Sequence, residues 1–126
     1  MKKKTLKSLR NRLDTVFSVF VRTRGVDLHG YNVCVSCGRK IPWQDGDAGH
    51  YYRRQHTGTR FDPRNVHFQC KSCNGFRAGN VASYARYMYA TYPQSDLDDL
   101  DFLHRQSTKL TRSDLTDLIE KYSNLV

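Results

Sequence analysis

The sequence predicts an α+β chain in which a small cysteine-braced core of short strands is flanked by helices at both ends. Three observations predict it: two C-x-x-C units bounding an interior without helical period, a helical apolar stripe before that interior, and further helical stripes after it. The 126 residues have room for a single domain, 1–126, comprising a basic N-terminal helix over 1–25, a braced core over 31–92 and C-terminal helices over 93–126. A hydrophobic core of that size gains from a staple. Eight Tyr, six Phe and one Trp make the chain too aromatic to read as disordered, apart from its first few residues.

From Thr5 to Arg24 the apolar residues Leu6, Leu9, Leu13, Val16, Phe17 and Phe20 share one helical stripe, and Gly25 stops the helix. The opposite face offers Lys7, Arg10, Arg12 and Arg22, which suits solvent or phosphate equally. Residues 31–70 contain Gly38, Pro42, Gly46, Gly49, Gly58 and Pro63 and read as short strands linked by turns. After Asn80, the residues Val81, Tyr84, Ala85, Met88 and Tyr92 restore a helical stripe until Pro93 ends it. Two short helices close the chain. Ser95 with Asp98, and Thr111 with Asp114, each have the form of a capping box, and Leu115, Leu118, Ile119 and Tyr122 form an apolar face.

The net charge of +9 is unevenly spread: eight basic residues against one acidic in 1–24, nine against four in 25–92, and four against seven in 93–126. The first two-thirds therefore present a positive field suited to a polyanion, with nucleic acid the expected partner. No apolar run approaches the roughly 20 residues that span a bilayer, and the Lys-rich start lacks the apolar block of a secretory signal. No membrane partner is expected, and the cytoplasm is the expected compartment. Thiols stay reduced there, so four cysteines argue for metal before disulfide.

Cys34-Val-Ser-Cys37 and Cys70-Lys-Ser-Cys73 are separated by 32 residues. Each unit suits a tight knuckle that turns two sulfurs towards one point, and two knuckles complete a tetrahedral Zn²⁺ site. Four thiolates leave no open coordination position, so this zinc is structural. Hydrolytic chemistry then needs a second ion elsewhere.

The sharpest segment is Asp47-Ala-Gly-His50-Tyr51, followed by Asn65-Val-His67-Phe-Gln-Cys70 and Cys73-Asn74. A strand ending in His, a loop, an Asn before a knuckle and a polar residue opening the next helix follow the order of the HNH, or ββα-metal, nuclease motif. His50 matches its first His, Asn65 its central Asn, and Asn74 its last position. More closely, the chain resembles the phage lambda NinG (Rap) family of recombination endonucleases. The resemblance rests on Leu13 to Arg22, Cys34 to Gly38, Asp47 to Tyr51, Arg60-Phe61, Asn65 to His67, Gln69-Cys70, Cys73-Asn74, Gly79-Asn80 and the closing Asp114 to Leu118. It implies a ββα-metal core, a metal-dependent endonuclease acting on branched DNA such as Holliday junctions or D-loops, and a phage protein working in the bacterial host cytoplasm.

The residues make chemical sense beside that resemblance. Phosphodiester hydrolysis needs an activated water, and a His with pKa near neutrality can take its proton. It also needs a cation on the scissile phosphate. Mg²⁺ or Mn²⁺ suits the carboxamide oxygen of Asn74, one carboxylate and the phosphate itself. Asn65 orients the loop through side-chain bonds to backbone and so fixes the His50 ring. The expected phosphate contacts are Arg53, Arg54, Arg60 and Arg77, the last one helical turn past Asn74.

Many HNH sites carry Asp directly before the His, where this chain has Gly49; the nearest carboxylate is Asp47. In a regular strand, residues 47 and 50 point to opposite faces. A bulge at Gly49 would return both to one face; otherwise His50 itself holds the metal, with His67 or a water completing the shell. The competing reading is a non-catalytic zinc-ribbon DNA-binding protein, a recombination accessory or regulator. It shares the charge and the cysteines but has no need of His50, Asn65 and Asn74 together. Symmetric cutting of a junction would need two active sites, so a homodimer is expected.

Overall fold

The computed structural model describes residues 3 to 126; residues 1 and 2 of the expected 1–25 segment lie outside the described residues. Helix α1 (Leu6–Thr23) opens on Thr5, whose hydroxyl oxygen accepts the Ser8 amide at 3.0 Å and satisfies a first-turn donor. The predicted stripe is buried at Leu9, Leu13, Val16 and Phe17 and is extended by Val21. Two antiparallel hairpins follow, β1 (Tyr31–Val33) with β2 (Lys40–Pro42) and β3 (Gly46–His50) with β4 (Val66–Cys70). The chain is thus α+β, with two small sheets among its described residues.

The second hairpin organises the molecule. Val66 joins Leu9, Leu13 and Phe17 of α1 and Leu115 and Tyr122 of α4 (Arg112–Ser123) in the main core. Full burial of each such side chain contributes about 1.5–3 kcal/mol, and the edge-on Phe17–Tyr122 pair, with ring centroids 4.9 Å apart, adds to it. The next residue along β4, His67, points the other way, onto Tyr84 of α2 (Val81–Thr91) and Tyr92 at its C-cap. Both faces of β4 are covered, which is why all five of its residues are buried.

Register corrects one expectation. Residues of β3 and β4 pair one to one from Gly46 opposite Cys70 to His50 opposite Val66, so no bulge forms at Gly49. Glycine is required there for a different reason: a Cβ on residue 49 would stand 1.9 Å from Oε1 of Gln69, whose side chain crosses the sheet at that point.

A second expectation also changes. Asn74 does not open α2; it lies in a π-helical turn, Ser72–Phe76, and α2 begins at Val81. Ala78 and Asn80 between them have left-handed φ values of 49° and 45°, which interrupts any continuous helix from the knuckle.

The C-terminal region contains α3 (Gln94–His104) and α4. Thr111 and Asp114 form the predicted capping box in both directions. The box predicted at Ser95 and Asp98 does not form, because Pro93 occupies the N-cap position and no side chain caps α3.

Candidate functional site

Both C-x-x-C units sit on tight turns, as their spacing predicts. The first is the turn between β1 and β2, closed by the Gly38 amide donating to the Cys34 carbonyl at 2.9 Å, with Gly38 at φ +78° in the left-handed region that favours glycine. The second runs from the end of β4 into the π-helical turn. The four sulfurs lie within 4.8 Å of one another, and Cys37 Sγ is 3.7 Å from Cys70 Sγ. A tetrahedron of Zn–S bonds about 2.3 Å long has edges of about 3.8 Å, so the cluster has the size of a tetrathiolate zinc site. Two donors reach these sulfurs: the Cys73 amide to Cys70 Sγ at 3.4 Å and the Asn80 side-chain amide to Cys73 Sγ at 3.5 Å. Sequence reasoning read Asn80 only as preceding a helix and missed this contact. Among the described residues, these cysteines are the one group of three or more His, Cys, Asp or Glu placed to hold an ion.

Beside the knuckles lies an open cavity of about 800 Å³, bounded by α1, β3 and the π-helical turn. Asp14, Ser18 and Arg22 face it from α1; Asp47 and His50 come from β3; Arg53 and Arg54 follow; and Lys71 and Asn74 close it from the knuckle. Asp47 and His50 alternate along a regularly paired strand, yet both side chains line this cavity. Asp47 and His50 therefore share the cavity with Asn74 without a bulge. Asn74 Nδ2 donates to Asp47 Oδ2 at 3.1 Å, and Lys71 Nζ pairs with Asp47 Oδ1 at 2.8 Å.

The His50 ring is fixed from below. Its Nε2 lies 3.0 Å from the Arg60 carbonyl oxygen, which can only accept, so Nε2 carries the proton and Nδ1 keeps its lone pair. Burial pushes the His50 pKa below its ordinary value, against the pull of that carbonyl, so the ring is neutral near pH 7. Asn65 laces the intervening loop. Fully buried, it accepts the Tyr52 amide at 2.8 Å and donates to the Tyr52 and Thr59 carbonyls at 3.0 and 3.1 Å. All the polar contacts of its side chain are to backbone.

The profile of the family described as "Bacteriophage Lambda NinG protein" matches residues 1–126. The chain belongs to the NinG family. It is 34% identical over 90 residues to Protein ninG of Escherichia phage 933W, and 33% identical over the same length to the proteins of that name from Escherichia phage lambda and Salmonella phage P22. Each match covers 71% of this chain and 42% of the relative, so the chain spans about two-fifths of the length of these relatives. No solved structure matches it.

Other predicted site residues of this NinG-family chain lie elsewhere. His67 is 5% exposed on the sheet face opposite His50, and both ring nitrogens are engaged. The Tyr84 hydroxyl donates to the Gly49 carbonyl at 2.7 Å, so His67 Nδ1–H donates to the Tyr84 oxygen at 3.0 Å, and His67 Nε2 accepts from the Tyr92 hydroxyl at 2.7 Å. No lone pair is left for a metal, which removes His67 from the Mg²⁺ or Mn²⁺ shell. Arg60 is also reassigned: its guanidinium donates to both oxygens of Asp14 and is turned inward, so it braces the fold. Arg77 is exposed but lies outside the cavity lining, because the chain turns at Ala78 and does not continue as a helix. Arg53 and Arg54 do line the cavity. Asp14 and Lys71, absent from the predicted set, line it with them, as does Arg22 from the helix face predicted to suit solvent or phosphate equally; the approach of Asp14 and Lys71 depends on how α1 and the knuckle pack, which no local pattern encodes. Among the described residues, no helix is long and apolar enough to cross a membrane.

Proposed function

We propose that the chain is a metal-dependent DNA endonuclease of the ββα-metal (HNH) type, acting on branched recombination intermediates of the Holliday-junction or D-loop kind. The observation that carries the proposal is the cavity in which a neutral, tautomer-fixed His50 stands with the contacting pair Asp47 and Asn74. A positive rim of Arg22, Arg53, Arg54 and Lys71 surrounds them. The preference for branched DNA rests on family resemblance alone, and the homodimer on the two active sites that symmetric cutting of a junction would need.

Asp47 and Asn74 supply the hard oxygen donors that suit Mg²⁺ or Mn²⁺, and a cation held there would neutralise charge on the scissile phosphate. The two side chains are within hydrogen-bond reach of each other, and an ion shared between them would replace that bond and take the Asn74 oxygen; Lys71, which pairs with Asp47, would exchange that contact for a phosphate. His50 Nδ1 accepts a proton from water as the water oxygen attacks phosphorus, and the leaving oxygen departs with the electron pair of the broken P–O bond and takes a proton from solvent. The Arg60 carbonyl stabilises the imidazolium that results, because Nε2–H already points at it. Arg53 and Arg54 hold flanking phosphates. The cysteine cluster, with zinc bound, keeps the turn carrying Asn74 against β3.

A nicking assay on a synthetic four-way junction and a linear duplex, with Mg²⁺ or Mn²⁺, tests this reading. The His50→Ala protein is expected to lose about 10²-fold or more in rate. Equal cutting by wild type and variant would remove His50 from the mechanism. Junction binding without cutting under either cation would favour the non-catalytic zinc-ribbon reading.

A further inference from the structure

We propose that Asp14, on the N-terminal helix, is a positioning residue that sets the orientation of His50 through the backbone of Arg60. The inference rests on the endonuclease reading and adds to it a residue from outside the His50, Asn65 and Asn74 set. Asp14 Oδ1 accepts from Arg60 Nε at 3.1 Å while Oδ2 accepts from Arg60 Nη2, the two-pronged geometry that fixes a guanidinium in plane as well as in distance. The two side chains are 16% and 23% exposed, so water competes weakly for the pair. The carbonyl of the same Arg60 receives His50 Nε2 at 3.0 Å. A carboxylate on α1 is thereby linked through one residue to the ring on β3.

Other tethers on Arg60 come from its own loop or an adjoining residue. Its amide bonds to the His56 carbonyl at 3.1 Å, its guanidinium lies 5.2 Å from the Phe61 ring centroid, and Asn65 holds the Thr59 carbonyl beside it. Asp14 ties this loop to the helix forming the opposite wall of the cavity. Its charge also needs explanation. A carboxylate lining a cavity that receives phosphate opposes substrate binding. A cavity selected only for affinity would not carry one there, whereas one that must hold a general base in register gains from it. Asp14 Oδ2 additionally accepts from Arg54 at 3.0 Å; Arg54 is 61% exposed and can turn to a phosphate while the buried fork to Arg60 persists.

Two measurements on Asp14→Asn test this. Single-turnover nicking of a junction with Mg²⁺ is expected to slow by about 10- to 100-fold. Junction affinity should be unchanged or tighter, since a negative charge has left the cavity. Long-range ¹H–¹⁵N spectra of the imidazoles should give one His50 tautomer, protonated at Nε2, in wild type and a mixture in the variant. Arg60→Lys, which keeps the charge and loses the fork, should behave alike and serves if Asp14→Asn does not fold. An unchanged tautomer, or a slowing that persists in full on a His50→Ala background, would overturn the proposal. The spectra need no cleavage, so a tautomer difference between wild type and variant, with no cutting by wild type, would refute the endonuclease reading and leave the link from Asp14 to His50 standing.

Discussion

Acid destabilises this fold through His67, and the size of the effect follows from its surroundings. Burial among Tyr84, Tyr87 and Tyr92, with Arg24 nearby, pushes the His67 pKa from 6.5 down to about 3. The folded value lies below the unfolded one, so the unfolded chain binds the extra proton first. The stabilising contribution is full above pH 6.5 and is lost as the pH falls from there towards about 3. At a pH about two units below the unfolded value, the loss is about 2.7 kcal/mol, at about 1.36 kcal/mol per unit. Guanidinium unfolding at pH about 7.5 and about 4.5, run in parallel on wild type and His67→Gln, isolates this share. Proton competition for the cysteine sulfurs is common to both proteins and cancels. Wild type should lose about 2–3 kcal/mol more than the variant over that interval. Equal losses would refute the reasoning and reopen His67 as a solvent-accessible ring able to bind metal.

Three further outcomes are expected. Zinc analysis of the purified protein should give one ion per chain, and stripping it with a strong chelator should unfold the core and abolish any activity, as measured by circular dichroism and nicking. Gly49→Ala should cost about 1–3 kcal/mol in chemical unfolding, because the new methyl meets the Gln69 amide inside the sheet. Asn65→Ala should cost about 1–3 kcal/mol by leaving buried backbone groups of Tyr52 and Thr59 unpaired, and should slow nicking by loosening the carbonyl under His50; a Thr111→Ala cap variant of similar stability loss should leave nicking intact.

The parts of this molecule governed by local rules were legible before any coordinates. The cysteine spacing predicts a single cluster because a C-x-x-C turn converges two sulfurs by itself, and the stripe from Leu9 to Phe17 names the buried face of α1 because helical period alone decides it. Alternation along β4 places His67 opposite to Val66, yet it does not say that the His67 ring is closed off; the hydroxyls of Tyr84 and Tyr92 on that side decide it. From sequence, a bulge at Gly49 is one way to bring Asp47 and His50 together. Both line one cavity although the strand is regularly paired, and the Gln69 side chain packed against residue 49 explains the glycine. The contact from Asp14 to Arg60 spans 46 residues and leaves no periodic trace. The capping box at Thr111 forms as written, while that at Ser95 is pre-empted by Pro93.

Titration of Mn²⁺ into ¹⁵N-labelled protein bears most directly on the shared cavity. Early paramagnetic broadening of the Asn74 side-chain amide and the His50 ring signals is expected, abolished by Asp47→Asn, with His67 affected later. Broadening centred on His67, or none at Asn74 and His50 at concentrations that support cutting, would contradict it.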